Sequence, residues 1–166
     1  MVTHHLAYTA PINPALAEPH LSQAQVWQGL RRKMVAAQEF VPAITDCRVL
    51  EEKGDGEEVT REVVFREGAG PGGDGKPVRE VCRAFEPTRV DFHQTDGSVV
   101  RNIISTGAGG EADLYMTYVF EWHHPQVTAG SDEDRTLLVR HNQMAQMAVE
   151  KSIESIRKMV VDGRIK

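Results

Sequence analysis

The sequence has 166 residues, of which 40% are hydrophobic and 26% are charged, and its formal net charge at pH 7 is −5. These values predict one globular domain over residues 1–166 and exclude a disordered chain. The acidic balance gives nucleic-acid binding no electrostatic support, and no apolar stretch is long enough for a membrane span.

The cysteine content and the first residues bear on the cellular compartment. Two cysteines, Cys47 and Cys82, are too few for a disulfide framework or a cysteine-rich metal cluster. The first residues lack the basic and apolar regions of a signal peptide. We therefore expect a reducing, cytoplasmic location.

The first part of the chain predicts a strand followed by a helical region. Residues 3–12 have strand character, and prolines close the segment. Ser22, with Gln25 three residues later, forms a capping-box pattern, and the apolar residues after it recur at helical spacing. We expect Gly29 to divide this region into two short helices and Pro42 to end it.

The hydrophobic period then changes from about 3.6 residues to about 2. Six segments rich in Val, Ile, Phe and Tyr are separated by turns that contain Gly, Asp or Pro, which is typical of an antiparallel meander. The predicted strands cover residues 44–52, 58–66, 78–86, 88–95, 98–106 and 112–123. The last strand has the clearest alternation, and one of its faces is strongly apolar.

From Ser131 the helical period returns and continues to Gly163, a natural helix stop. Ser131 is an N-cap, and the three acidic residues after it lie at the positive end of the helix dipole. The order of elements predicts an α+β fold, with a curved seven-stranded antiparallel sheet wrapped around the long C-terminal helix. Two short helices lie between strands 1 and 2. This order resembles the helix-grip fold of the START and birch-pollen-allergen superfamily.

The glycine-rich stretch at 68–77 matches two phosphate-binding patterns in part. Gly68, Gly70 and Gly73 fit G-x-G-x-x-G, but both patterns require a helix after the loop. Here Pro77 replaces the hydroxyl residue that would bind magnesium, and a strand follows. We interpret the stretch as a flexible hairpin loop and not as a nucleotide site.

Histidines occur as two adjacent pairs, His4-His5 and His123-His124. Neighbours on a strand point to opposite faces, so neither pair easily chelates one metal ion. The spacings H-x-x-x-H and C-x-x-C do not occur. We expect no metal site and no cofactor, and we expect Cys82 to be a small buried residue and not a nucleophile.

The most informative residues are polar ones on apolar strand faces. Arg61 lies among the inward positions of one strand, and Glu80 lies among those of the next. If these strands pair, the two side chains approach each other. A functional interpretation is an arginine that holds a ligand carboxylate or enolate, with Glu80 as acid/base or orienting group. A structural interpretation is a salt bridge at the sheet edge or on its outer face.

His141 falls on the inward stripe of the last helix, where it is either a core residue or the one cavity group that titrates near neutral pH. Of the neighbours Arg101 and Asn102, one faces inward, but either parity is apolar. We assign catalytic roles to Arg61, Glu80 and His141. The predicted substrate-binding residues are Asn102, Tyr118, Trp122, Met144 and Ala148.

Several short motifs occur in an order similar to that of the AtaL-like family, found in bacteria and in fungal biosynthetic clusters such as that for acetylaranotin. The motifs are Val26-Trp27-Gln28-Gly29-Leu30, Phe40-Val41-Pro42, Arg61-Glu62-Val63, Asn102-Ile103-Ile104-Ser105, the segment 114–121, Ala148-Val149, Ile156-Arg157 and Gly163. The resemblance implies a cavity for a hydrophobic small molecule, such as a secondary metabolite. It supplies no established catalytic residues.

Members of the wider superfamily are carriers, lipid-binding modules, or cofactor-free cyclases, dehydratases and hydrolases, so three functions stay open. The favoured hypothesis is a tailoring enzyme that acts on a secondary-metabolite intermediate by acid/base chemistry. The second is a carrier or storage protein for such a ligand, and the third is a protein-interaction module. The sequence identifies neither the ligand nor the oligomeric state.

Overall fold

The computed structural model of the chain describes residues 1–67 and 75–166. Over these ranges seven strands form one antiparallel sheet in the order β1-β7-β6-β5-β4-β3-β2. The strands are β1 (Val2–Pro11), β2 (Ile44–Lys53), β3 (Glu58–Phe65), β4 (Pro77–Phe85), β5 (Arg89–Gln94), β6 (Val99–Thr106) and β7 (Leu114–His124). This order confirms the predicted seven-stranded antiparallel sheet. From β2 to β7, each turn allows the next strand to fold back beside the one before it.

The helical region between β1 and β2 differs from the prediction in one respect. Helix α1 (Gln23–Val35) begins with the predicted capping box and runs without a break through Gly29. A 3₁₀ helix (Ala37–Glu39) follows, so the two short helical elements are separated at Ala36 and not at Gly29. The glycine serves close packing, since a Cβ placed there would lie 2.4 Å from Cγ1 of Ile156.

Helix α2 (Asp132–Val161) packs along one face of the sheet, which we call the inner face. The side chain of Ser131 accepts a hydrogen bond from the backbone N–H of Asp134, which confirms the predicted N-cap. The two halves of the helix are buried differently. The C-terminal half buries Val149, Ser152, Ile153, Ile156 and Met159, whereas the N-terminal half buries only His141 and Ala145.

The glycine-rich loop predicted at 68–77 falls on residues 68–74, which lie outside the described ranges. After it, β4 begins at Pro77, so a strand follows the loop, as predicted, and not the helix that a phosphate-binding loop requires. In the described part of the chain, neither helix combines the length and the apolar character needed to cross a bilayer.

Candidate functional site

A cavity of about 440 Å³ lies between the inner face of the sheet and the N-terminal half of α2. This volume is in the range of small-molecule sites, and the lining is mainly apolar with a few polar groups. All eight site residues predicted from the sequence line it: Arg61, Glu80, Asn102, Tyr118, Trp122, His141, Met144 and Ala148. What each residue does there stays a prediction.

Arg61 and Glu80 form a buried ion pair across β3 and β4. They are register partners, and Nε and Nη2 of Arg61 donate to one carboxylate oxygen of Glu80 at 2.9 and 2.6 Å. The other oxygen accepts a hydrogen bond from Gln94, and Nη1 of Arg61 donates to the carbonyl oxygens of Lys33 and Met34. The predicted approach of the two side chains is confirmed, but the pair lies on the inner face and not at the edge or on the outer face.

Lys33 is a cavity residue that sequence analysis missed. Its ammonium donates to Oδ1 of Asn102, the hydroxyl of Tyr118 and the hydroxyl of Ser152, at 3.0, 3.1 and 3.3 Å. It also lies 4.4 Å from the centroid of the Tyr118 ring. Burial, reinforced by the positive charge of Arg61, lowers the pKa of Lys33 to about 7. Lys33 is therefore present both as the ammonium and as the neutral amine near neutral pH.

A sequence pattern places Lys33 on the buried face of α1. Val26, Leu30 and Lys33 are spaced by four and three residues, which puts them on one side of a helix. The lysine is the charged member of an otherwise apolar stripe. We call Lys33, Arg61, Glu80 and Asn102 the lysine cluster.

The structure decides between Arg101 and Asn102. Asn102 is fully buried and faces the cavity, whereas Arg101 lies on the other face and pairs with Glu121. Because Oδ1 of Asn102 accepts from Lys33, its Nδ2 points the other way. This amide nitrogen is buried and has no hydrogen-bond partner among the described residues.

A second polar group, which we call the histidine cluster, consists of His4, His124 and His141 with Asp134. Nδ1 of His4 lies 2.9 Å from Nδ1 of His141, and Nε2 of His4 donates to the Asp134 carboxylate at 2.7 Å. The ring of His124 stacks on that of His141 with centroids 4.9 Å apart. Burial, with the nearby imidazoles, lowers the pKa of His141 to about 4, so this side chain is neutral at pH 7.

Sequence analysis missed this cluster because each histidine pair was considered alone. Within a pair the two side chains do point to opposite faces. However, the pairing of β1 with β7 places His4 opposite Trp122 and Val2 opposite His124. The even-numbered member of each pair therefore faces α2, and strand parity combined with this pairing would have predicted their approach.

The two clusters are separated along β7. Tyr118 contacts Lys33, while His124 belongs to the histidine cluster, and six residues of strand span about 20 Å. Phe120 and Trp122 lie between them on the same face, and both line the cavity. The cavity is thus an apolar, aromatic space with a polar cluster at each end.

Both cysteines are free thiols. Cys82 is fully buried, as predicted, and burial raises the pKa of its thiol to about 12. A thiol that stays protonated at neutral pH is a poor nucleophile, which is consistent with the interpretation of Cys82 as a small buried residue.

Comparison with known proteins gives one family. A family model described as "Acetylaranotin biosynthesis cluster protein L" matches residues 6–163. The protein of that name from Aspergillus terreus (strain NIH 2624 / FGSC A1156) is 27% identical over 161 residues, which is 97% of this chain and 92% of the relative.

Solved structures share the fold at low sequence identity. The Zhui aromatase/cyclase from Streptomyces sp. R1128 aligns with a TM-score of 0.59 at 14% identity, covering 96% of each chain. A START superfamily protein from Mycobacterium smegmatis aligns at 0.59 and 12% identity, covering 98% of this chain and 97% of the other. The di-domain ARO/CYC protein BexL aligns at 0.61 and 12% identity over 94% of this chain and 49% of BexL, so this chain spans about half of that protein. These likenesses confirm the helix-grip fold.

Proposed function

The chain belongs to the acetylaranotin biosynthesis cluster protein L family, and from this membership and its cavity we propose that it binds a hydrophobic secondary-metabolite intermediate and acts on it by acid/base chemistry. The reaction class is cyclisation, dehydration, isomerisation or hydrolysis, carried by side chains of the chain. We place this reaction in the cytoplasm, where a reducing environment keeps both thiols free.

The observation that carries this proposal is the buried amine of Lys33 at one end of an apolar cavity. A group that changes protonation state near neutral pH is the most effective general acid/base, and the pKa of Lys33, about 7, meets this condition. The apolar lining excludes water from the ligand and strengthens each polar contact. The acid/base role that the sequence analysis expected of His141 is assigned here to Lys33. We propose that the imidazole of His141 is instead a polar contact for the far end of the ligand.

The lysine cluster supports a proton transfer next to a ligand carbonyl. The free amine of Lys33 takes a proton from the carbon beside the carbonyl, so that a C–H bond breaks and an N–H bond forms. The electron pair of that bond moves to the carbonyl oxygen, which becomes an enolate. Nδ2 of Asn102 donates a hydrogen bond to this oxygen. If Lys33 returns the proton to a different atom of the ligand, the product is an isomer. Alternatively, the enolate is the species that undergoes ring closure or loss of water.

We propose that Arg61 and Glu80 position Lys33 and do not contact the ligand. The donors of Arg61 are directed to Glu80 and to two backbone carbonyls, one of them that of Lys33 itself. The positive charge of Arg61 also helps to lower the pKa of the lysine. The pair therefore fixes the end of α1, and the charge of Arg61, partly offset by that of Glu80, favours the neutral amine.

A carrier function is the second candidate, and the same hydrogen bonds favour it. If the charges of Lys33, Arg61 and Glu80 serve only each other and the fold, the cavity binds an apolar ligand without converting it. A carrier predicts one unmodified ligand per chain and tolerance of polar substitutions in the lining. A protein-interaction module, in contrast, predicts no small ligand at all.

The test combines native mass spectrometry with a matched pair of variants. The purified chain is incubated with a metabolite extract of its host, and we expect a bound species that is absent from extract kept without protein. Lys33→Met is expected to bind the unconverted species and to lose conversion by about 100-fold or more. The control Lys158→Met changes an exposed lysine in the last turn of α2 and should leave conversion intact.

Two results contradict the enzymatic proposal. If the bound species is already abundant in the extract and is released unchanged, the chain is a carrier. If Lys33→Met converts the ligand as fast as Lys158→Met, the acid/base assignment is wrong.

A further inference from the structure

We propose that His4, His124 and His141 form a binding site for one divalent transition-metal ion of the Zn²⁺ class. One ring nitrogen of each residue lies within 4.8 Å of those of the other two. The site does not depend on the proposed acid/base function, since its ligand His124 lies six residues, about 20 Å, along β7 from Tyr118, which contacts Lys33.

The ligand set and its support suit such an ion. Three imidazole ligands favour Zn²⁺, Co²⁺, Ni²⁺ or Cu²⁺ over the oxygen-seeking ions Mg²⁺ and Ca²⁺. The ligands come from β1, β7 and α2, which are packed against one another, so the site is held by the fold and not by a loop. His4 and His141 are both buried. Three histidines from separate elements converge here although the chain is acidic and has only seven histidines.

The distances require only small adjustments. Nitrogen ligands of tetrahedral zinc are roughly 3.3 Å apart, given Zn–N distances of about 2.0–2.1 Å. The nitrogens of His4 and His141 are 2.9 Å apart, so they need to separate by a few tenths of an ångström. His124 needs to move closer, and its half-buried ring near the end of β7 needs to turn out of its stack on His141.

Asp134 provides the second shell that histidine ligands of metals commonly have. Its carboxylate accepts the hydrogen bond from Nε2 of His4, so Nδ1 is the nitrogen of this ring left to ligate an ion, and it faces His141. Asp134 is itself fixed, because its other carboxylate oxygen accepts the backbone N–H of Gly130 at 2.7 Å. The orientation of His4 is therefore set before any ion binds.

His124 supplies an independent indication. Its Nε2 is shielded from solvent and has no hydrogen-bond partner among residues 1–67 and 75–166. A buried imidazole nitrogen without a partner is costly, and coordination of a cation removes that cost. The His124 ring also stacks on that of His141, which keeps it beside the other two imidazoles.

The open side of the site faces the cavity. His124 and His141 line the cavity, whereas His4 lies behind them. Three protein ligands with one open position are typical of zinc sites that contact a substrate, and four-ligand sites are typical of structural zinc. An ion bound here would present its fourth position to an oxygen atom of the cavity ligand.

The test measures metal binding by the untagged full chain without any organic ligand. After treatment with a chelator, the protein is titrated with Co²⁺ and followed by visible absorption, and Zn²⁺ binding is followed by calorimetry. We expect one Co²⁺ per chain with the intense bands of a tetrahedral or five-coordinate site. His124→Ala and His141→Ala are each expected to weaken binding by at least 100-fold, and Asp134→Asn by about 10- to 100-fold.

The other member of each histidine pair gives the control. His5→Ala and His123→Ala change the same residue type on the same strands but on the opposite face of the sheet, and we expect both to bind Co²⁺ like the wild type. Circular dichroism verifies that each variant is folded. If removal of the buried His141 unfolds the chain, the half-buried His124 is the deciding variant.

Three results would overturn the proposal. The first is a wild-type chain that binds neither Co²⁺ nor Zn²⁺. The second is a folded His124→Ala variant that binds Co²⁺ as tightly as the wild type. The third is equal loss of binding in His5→Ala, which would indicate adventitious binding to exposed histidines.

Discussion

The lysine cluster and the histidine cluster lie at two ends of one cavity, but their polar atoms are satisfied differently. In the lysine cluster each charged group has hydrogen-bond partners, whereas the buried Nδ2 of Asn102 has none within residues 1–67 and 75–166. In the histidine cluster Asp134, His4 and His141 form a chain of hydrogen bonds, and Nε2 of His124 lies beside it without a partner among the described residues.

The difference between the clusters lies in which buried polar atoms the fold itself accounts for. Buried charges are tolerated only when they are paired, so a satisfied pair such as Arg61–Glu80 is explained by the fold alone. A buried donor or acceptor without a partner is not explained in this way. Among the residues of the two clusters, Nδ2 of Asn102 and Nε2 of His124 are the atoms of this kind, one at each end.

The largest expected effect concerns the satisfied ion pair. Arg61→Ala leaves the Glu80 carboxylate buried without its cation, and we expect a loss of about 3–5 kcal/mol in the free energy of unfolding. Arg61→Met combined with Glu80→Leu should recover most of this loss, because no charge is then left unpaired. Urea denaturation of the three proteins measures both values.

An exposed ion pair on the neighbouring strands is the matched control. Arg48 of β2 and Glu62 of β3 pair at 2.7 Å, but the arginine side chain is 69% exposed. Arg48→Ala should therefore cost about 1 kcal/mol or less. If Arg61→Ala costs no more than Arg48→Ala, the carboxylate of Glu80 is hydrated in solution and the lysine cluster is not the closed network described above.

The next largest expected effect is a pH dependence of the free energy of unfolding that comes from Lys33. Its pKa is about 7 in the folded chain and 10.5 in the unfolded chain, so between these values the unfolded chain binds more protons. Stability from this group therefore rises as the pH increases from 7 towards 10.5, by about 2 kcal/mol between pH 7 and 9. Urea denaturation of the wild type and of Lys33→Met at several pH values in this range measures the contribution of Lys33 as the difference between their free energies of unfolding.

Subtraction of the Lys33→Met curve removes the contribution of other groups that titrate above pH 7, such as Cys82. Lys158→Met, which changes an exposed lysine, should run parallel to the wild type. Parallel curves for wild type and Lys33→Met would show that the pKa of Lys33 is not lowered, and the acid/base proposal would lose its basis.

The sequence predicts the strands well because their patterns are local. Alternation, turn residues and caps depend on neighbours in the chain, and the predicted strand at 44–52 becomes Ile44–Lys53 while that at 112–123 becomes Leu114–His124. Inward positions follow from the same alternation, which is why Arg61 and Glu80 were paired correctly.

The clusters were harder to predict because they join distant parts of the chain. Lys33 was not predicted as a site residue, although helical spacing places it with Val26 and Leu30 on one side of a helix. His4 and His141 are 137 residues apart, and their contact depends on the pairing of β1 with β7 and on the position of α2. Local patterns do not specify such contacts.

The smallest expected change in the free energy of unfolding is that of Gly29→Ala, which tests why the cavity lies under only one half of α2. Gly29 allows α1 to approach the C-terminal half of this helix, and Gly29→Ala would place a methyl group against the buried side chain of Ile156. Overpacking costs about 1–3 kcal/mol, and the better helix propensity of alanine offsets about 1 kcal/mol of it, so we expect a net loss of about 1 kcal/mol.

Ile156→Ala alone leaves a cavity and costs about 2–5 kcal/mol. In the double variant the new methyl group at 29 fills part of that cavity, so its loss should be smaller than the sum of the single losses. Additive losses in urea denaturation would mean that the helices separate to admit the methyl group, and that the close contact at Gly29 does not fix the position of α2 over the sheet.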